Sequence, residues 1–431
     1  MKAERRKERF EWRFYPWLVV GLLASLWLWD LARVWRITNH HDLDVFMRAA
    51  RRLVAGEDIY QDLAPFKAAL ERGTFSMKDE TIVWPYAYAP LIAILFVPAL
   101  ALPYSLVRAL WWGVNVLALS LGSLLTLRAL SRVTPLLLGL ALLLLYRFDP
   151  AVVTLRLGQI ELVQFFLLAL ALYALSRGRD PLAGGALGLA TALKFFPGAL
   201  IGLFLWRRRW RAALWALAVA CVGIGASFAL VGWEAVSAYW HYTSIYGLGG
   251  AFAAFPYNQS FNGFFSRNLI SNVFSPTLKG VNLPGLAKGL TLLCDGVVVL
   301  ASAYLTWHRE GWPCSPCEGD HQRFSLEFAL GVVALLLVSP HSQVYTLVWT
   351  LLPLLVLVHK LLADSAPWWQ WGVLFVAYLL IGRHYVFFHP GLTRLVQAHY
   401  LFGLLSLWGL LAFILWRERG QRSLAPSCSS S

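Results

Sequence analysis

The chain returns repeatedly to apolar runs close to the roughly 20 residues a helix needs to cross hydrocarbon, and few folds can absorb them. Hydrophobic residues fill 58% of the 431 positions and charged residues only 14%, too little polar surface to cover a soluble core of that size. The expected fold is all-α and membrane-embedded: a polytopic bundle of roughly 11–13 helices, some short or broken, with amphipathic helices on its outer face. Trp17, Trp84, Trp206, Trp233, Trp307, Trp349, Trp368 and Trp416 stand near the ends of the runs, where amphipathic rings favour the headgroup level.

The formal charge of +14 comes from short basic clusters between apolar runs. That pattern orients membrane helices, so the expected partner is the lipid bilayer and no nucleic acid. Six basic residues between Lys2 and Arg13 precede the first run, Trp17 to Val34. Residues 1–16 are therefore expected in the cytoplasm, with the following segment outside the plasma (inner) membrane. The long first run, with no small-residue cleavage site after it, argues against a cleaved signal peptide. One transmembrane domain is expected over 17–416, with outer loops at 36–84, 232–284 and 383–396, and a Ser-rich, disordered cytoplasmic tail at 417–431. Cys314 and Cys317 form a lone C-x-x-C, which lacks the second half of a zinc site.

Between Trp84 and Arg209 the alternation of sides fails. Strict counting places Arg128 and Arg132 outside, where positive charge does not belong. Pro85, Pro90, Pro98, Pro103 and Pro135 offer break points. The run Leu182–Leu205 is basic at both ends and carries Lys194-Phe-Phe-Pro197 in its middle. It reads as a broken helical hairpin with Lys194 near the turn, tolerated at membrane depth only against protein or a wet cavity.

Four places carry candidate chemistry. Asp42 and Asp44 follow the first span beside His40 and His41. From the residues alone the favoured role is the cap of an amphipathic helix with Val45, Ala49, Ala50, Leu53 and Val54 on one side and Arg48, Arg51 and Arg52 on the other; the alternative is a general base at the membrane surface. Asn258-Gln-Ser260, with Gly263 and Arg267, lies in an outer loop longer than a connection requires. It is either an ordinary interfacial loop with aromatic anchors or a site whose amides and guanidinium suit sugar hydroxyls and a phosphate. Ser339-Pro-His341-Ser342 breaks the chain at the outer end of a span, where irregular backbone usually lines a cavity, with a satisfied core histidine as the alternative for His341. Lys194 is a lone intramembrane cation, with snorkelling as its alternative. Asp149, Arg156, Gln159 and Glu161 either line the same cavity or form a polar connecting loop.

The stretch Asp42-Leu-Asp-Val-Phe-Met-Arg-Ala-Ala, continuing through Gly56-Glu-Asp-Ile-Tyr60, resembles the signature of glycosyltransferase family 87, D-F-x-V-Y-Y-x-A-A followed by G-x-D-P-Y. In the family's order come Tyr88-Ala-Pro90, Gly158-Gln159, Ala183-Gly184 through Lys194 to Pro197, Asn258-Gln-Ser260 with Gly263 and Arg267, and Ser339-Pro340. The resemblance runs from Asp42 to about His359. The chain departs from it at the last site: where relatives show S-P-x-S-W-x-H, Gln343 replaces the Trp, Tyr345 the His, and His341 takes the variable position.

The resemblance implies a GT-C-type membrane glycosyltransferase, a polyprenyl-phosphate-mannose-dependent α-mannosyltransferase with a lipid-linked donor, a glycolipid or glycan acceptor, and chemistry on the outer face. It implies Asp42 as general base, with Asp44 as the alternative. On this reading, an inverting transfer takes a proton from the acceptor hydroxyl and stabilises the departing phosphate through Lys194 and Arg267. His341, Asn258, Gln259, Gln159 and Tyr345 are the expected substrate contacts. No metal or cofactor is expected, because cationic side chains fill that role. The competing classes are a lipid-linked-sugar flippase or secondary transporter and a noncatalytic envelope-assembly scaffold.

Overall fold

The computed structural model describes residues 2–76, 83–274, 282–307, 318–384 and 396–422. Cys314, Cys317, most of the 383–396 loop and the tail beyond 422 lie outside them.

The chain forms α1 (Lys2–Arg36), α2 (His41–Ala55), α3 (Leu63–Glu71), α4 (Pro90–Phe96), α5 (Tyr104–Leu130), α6 (Pro135–Leu145) and α7 (Asp149–Leu157). It continues through α8 (Glu161–Ser176), α9 (Asp180–Leu193), α10 (Ile201–Trp206), α11 (Trp210–Val231), α12 (Trp233–Thr243) and α13 (Phe261–Leu269). The last five are α14 (Pro284–Thr306), α15 (Glu318–Val338), α16 (Leu351–Ala363), α17 (Trp368–Gly382) and α18 (His399–Arg422).

Seven helices among the described residues are long and apolar enough to cross a membrane. The pair α6–α7, bent by 61°, makes an eighth candidate, and four apolar helices are shorter: Pro90–Ala101, Glu161–Ser176, Phe196–Trp206 and Trp368–Gly382. The expected mixture of full, short and broken membrane helices is thus present. The prolines account for many of the breaks. Pro90 opens α4, Pro103 immediately precedes α5, Pro135 opens α6, and Pro98 starts a 3-10 turn over Pro98–Ala101. Each stands where a missing N–H leaves no ladder bond open.

The irregular stretch before Arg209 resolves into two short excursions. The first is Pro90–Ala101, too short to cross. The chain therefore enters α5 beside α2, where the Tyr104 hydroxyl donates to Asp44. From there α5 runs 27 residues, about 40 Å at 1.5 Å per residue, and carries Arg128 to the opposite end. Arg128, Arg132, Arg177 and His321 line one groove there. With Pro90–Ala101 too short to cross, the conflict over Arg128 and Arg132 disappears.

The second excursion is the hairpin around Lys194. A methyl group at Gly188 would lie 2.8 Å from the Val219 Cβ, and one at Gly223 2.7 Å from the Ala192 Cβ. With the residue pairs advancing in the same direction, α9 and α11 run parallel in near backbone contact. Two parallel helices separated by so short a segment require a return between them, and Phe196–Leu200 followed by α10 supplies it. Asp180 and Arg209, at the two ends of the hairpin, pair at 3.4 Å. Lys194, with extended backbone (φ −154°, ψ 114°), ends α9.

Two further features fix the frame. At the arginine-rich end, the fully buried Glu327 pairs with Arg207 and Arg323, while Lys360 reaches Glu418 at 2.7 Å. These pairs tie the end of α10 to α15, α16 and α18. At the other end, Phe66, Leu70 and Phe75 pack with Ile245, Phe252 and Phe255 as a separate small core, so α3 and the loop after α12 form one roof.

Candidate active site

Beneath that roof lies a cavity of about 580 Å³, bounded by the start of α2, residues 84–88, the turn after α7, the Lys194 hairpin, the loop after α12 and the Ser339–Thr346 break. Asp42, Lys194, Gln159, His341 and Tyr345 all line it. Asp44, Asn258, Gln259 and Arg267 do not.

Asp42 reaches the cavity because of how α2 begins. His40 adopts a left-handed conformation (φ 54°, ψ 24°) and gives no side-chain cap. Such a backbone carries strain that the surroundings must hold. Here the N–H groups of Asn39 and His40 both donate to the Arg156 carbonyl, at 3.2 and 3.0 Å. Gly158, itself left-handed (φ 72°), leaves room for Leu43, whose Cβ would stand 3.1 Å from any methyl there. The helix thus starts before Asp42, and both carboxylates sit in its first turn. This corrects the expectation that one of them caps the helix. The buried face also differs from the expected stripe: Leu43, Phe46, Met47 and Ala50 face inward with Val45 and Ala49, while Val54 is exposed. Asp42 has the His41 Nδ1 at 3.5 Å. Asp44 turns away to Tyr104.

The cationic pole is Lys194. Its Nζ lies 2.5 Å from Glu161 Oε1, 5.8 Å from the Tyr88 ring centre and 5.4 Å from that of Tyr345. Glu161 is fully buried at the first turn of α8, and its Oε2 has no hydrogen-bond partner. The Tyr88 hydroxyl donates to Gln159 Oε1 at 2.9 Å. Burial, and after it the charges of Asp42 and Glu161, hold the Tyr88 phenol far above its ordinary pKa. Burial, Tyr239 and Asp42 act the same way on Tyr246. Both phenols therefore remain hydrogen-bond donors. The carboxylate of Asp42 is felt across the cavity.

His341 sits under the roof, with the rings of Tyr246 and Phe252 at 5.0 and 5.6 Å. Its Nε2 is 2.6 Å from the Gln343 amide nitrogen, and its Nδ1 has no partner. Burial first, then Lys194, pushes its pKa down to about 3, so the ring is neutral at physiological pH.

The amide loop holds this wall rather than lining it. Asn258 Oδ1 accepts from the N–H groups of Ser260 and Ser342 and from the Ser260 hydroxyl, at 3.3, 3.0 and 2.9 Å. Its Nδ2 donates to the carbonyls of Ala253 and Pro340 at 2.9 and 3.0 Å. The Gln259 N–H donates to the Ser342 carbonyl at 2.6 Å. Arg267, 1% exposed, donates through Nη1 to the carbonyls of Phe255 and Asn258 at 3.0 and 2.6 Å. Burial lowers its pKa to about 10, which leaves it charged. Asn258→Ala is expected to destabilise the fold by about 2–4 kcal/mol, because several buried groups lose their partner at once. A fall in the unfolding midpoint in detergent checks it.

The sequence left Glu161 open between the cavity and a polar connecting loop, and gave it no partner. Charge balance was no sufficient signal, since the Lys194 side chain is partly open, 26% exposed and lining the cavity, whereas Glu161 is fully buried. The aromatic lining from Trp84, Tyr246 and Phe252 had no signal beyond composition.

The family description of glycosyltransferase family 87 matches residues 86–340, a segment that holds Lys194 and Glu161 and starts after Asp42. Over 417 residues, 93% of this chain and 89% of the relative, the chain is 30% identical to a polyprenol-phosphate-mannose-dependent α-(1-2)-phosphatidylinositol pentamannoside mannosyltransferase of Mycolicibacterium smegmatis. The extent of both matches, on a multi-pass helical membrane fold, shows that the chain belongs to glycosyltransferase family 87 and is a membrane glycosyltransferase.

Proposed function

We propose that this enzyme moves a hexose, mannose, from a polyprenyl-phosphate donor to a hydroxyl of a glycolipid or polysaccharide acceptor, with inversion at the anomeric carbon and on the extracytoplasmic face. The observation that carries the reading is the pairing of one carboxylate and one ammonium in a single, mostly apolar cavity: Asp42 at one wall and Lys194 at another. The donor's phosphate is already a leaving group. What remains for the protein is to accept the acceptor's proton and to place positive charge where phosphate charge develops. Asp42 does the first and Lys194 the second. The apolar walls, Phe195 and Phe196 among them, take the first isoprene units, and Gln159, His341 and Tyr345 contact the sugar and phosphate.

Arg267 leaves the phosphate role in this proposal, since it does not line the cavity and its Nη1 donates to the carbonyls of Phe255 and Asn258. Asn258 and Gln259 likewise act by holding the Ser339–Ser342 turn. Asp44, bonded to Tyr104, gives way to Asp42. The named substrate of the mycobacterial relative supports mannose and the lipid-linked donor. For the side of the membrane, the support is charge: Arg128, Arg132 and Arg177 gather at the end away from the cavity, where the positive-inside rule places the cytoplasm. The reaction as proposed runs with side chains alone, without metal or cofactor. Family membership sets the flippase and scaffold readings aside.

The test is transfer by purified protein from synthetic polyprenyl-phosphate mannose to a membrane glycolipid extract. The expected result is donor consumption with mannose appearing in the lipid fraction. An intact donor with every acceptor tried would overturn the proposal.

A further inference from the structure

Glu161 has no part in the transfer just described, yet it sits against the group that binds the phosphate. It is fully buried, 2.5 Å from Lys194 Nζ through one oxygen, with the other oxygen unpartnered. Structural economy does not account for it. A lysine that only had to meet a phosphate could reach the cavity without a buried carboxylate, whose desolvation is costly.

The charges of the reaction give it a purpose, on the reading proposed above. The donor is a phosphodiester with one negative charge. As the acceptor hydroxyl gives its proton to Asp42, its oxygen forms a bond to the anomeric carbon. The bond from that carbon to the phosphate oxygen breaks, and its electron pair leaves with the phosphate. The product is a phosphate monoester, which carries nearly two negative charges near pH 7. A bare ammonium in an apolar cavity therefore holds product more tightly than donor. We propose that Glu161 is a positioning residue that holds the Lys194 ammonium between Tyr88 and Tyr345 and, by sharing its charge, lets the more highly charged polyprenyl phosphate leave.

The Glu161→Gln enzyme keeps the shape and removes the charge. Product inhibition by polyprenyl phosphate is expected to strengthen about tenfold or more, the scale on which one nearby charge shifts another ionisation. Steady-state kcat falls, while the rate of a single turnover with enzyme in excess stays within about threefold of wild type. Rescue separates this from a structural role. Glu161→Asp, which restores the charge, is expected to recover most of the product release. Adding Lys194→Gln to Glu161→Gln is expected to weaken the binding of polyprenyl phosphate again, since the tightening comes from the bare ammonium.

A second measurement needs no variant. Wild-type enzyme is expected to bind polyprenyl phosphate and its singly charged methyl ester within about threefold of one another, because Glu161 offsets the second charge. If wild type transfers mannose but Glu161→Gln leaves product inhibition unchanged, or if wild type favours the dianion more than tenfold, the role given to Glu161 is wrong. If wild type transfers nothing, the fault lies with the proposed donor instead. The two ligands' relative affinities still decide the charge argument.

Discussion

Replacing Asp42 with asparagine is expected to lower transfer by about 10²–10⁴-fold, the range general-base assistance contributes, with the donor KM little changed. Asparagine keeps the size and hydrogen-bonding reach of the side chain but cannot take the acceptor's proton. Asp44→Asn provides the internal comparison. Its carboxylate sits two residues along the same helix but is bonded to Tyr104, outside the cavity. Its loss is expected to cost no more than a few-fold. The two variants measured side by side, by kcat/KM for donor and acceptor, separate a base from a helix-end carboxylate. Equal losses would contradict the assignment.

Lys194→Gln is the second large effect, about 10²–10³-fold in kcat/KM for the donor, the loss expected for one preorganised group opposite developing charge. The single variant also leaves Glu161 buried without its cation, and breaking a buried pair costs about 3–5 kcal/mol. Poor accumulation in the membrane is therefore expected and would obscure the kinetics. Lys194→Gln combined with Glu161→Gln removes the pair as a whole. That double variant is expected to regain the stability of the wild type but none of its activity. Recovered stability together with recovered transfer would mean that Lys194 serves the fold alone.

How much of this could be read in the amino-acid order depends on the physics behind each feature. Lys194 was legible because an ammonium inside an apolar run has few tolerable environments, and the proline three residues on marks the turn. The bundle was legible for the same reason: hydrocarbon accepts few backbone arrangements. Arg267 was ambiguous because a guanidinium in an aromatic loop suits either a phosphate or a set of backbone carbonyls, and local sequence does not separate them. Only the fold of 253–260 around its Nη1 does. Asn258 raises the same ambiguity, since an amide that binds sugar and one that joins two loops look alike until the Ser339–Ser342 turn arrives from more than 80 positions away. The choice between Asp42 and Asp44 rested on where α2 starts. That start is set by His40 and the Arg156 carbonyl, a contact no short-range pattern encodes. Finally, the sides of Arg128 and Arg132 were obscured because Pro90–Ala101 is apolar like a span, while its length is too short to cross.

The central claim is that donor and acceptor meet in one cavity between Asp42 and Lys194. An experimental structure with a polyprenyl-phosphate sugar bound tests it most directly. The account predicts a phosphate oxygen within hydrogen-bonding distance of Lys194 Nζ, the isoprenoid chain against Phe195 and Phe196, and the face of the anomeric carbon opposite the phosphate turned toward Asp42. A phosphate bound elsewhere, whether at Arg267 or in the groove of Arg128, Arg132 and Arg177, with the cavity empty, would contradict it.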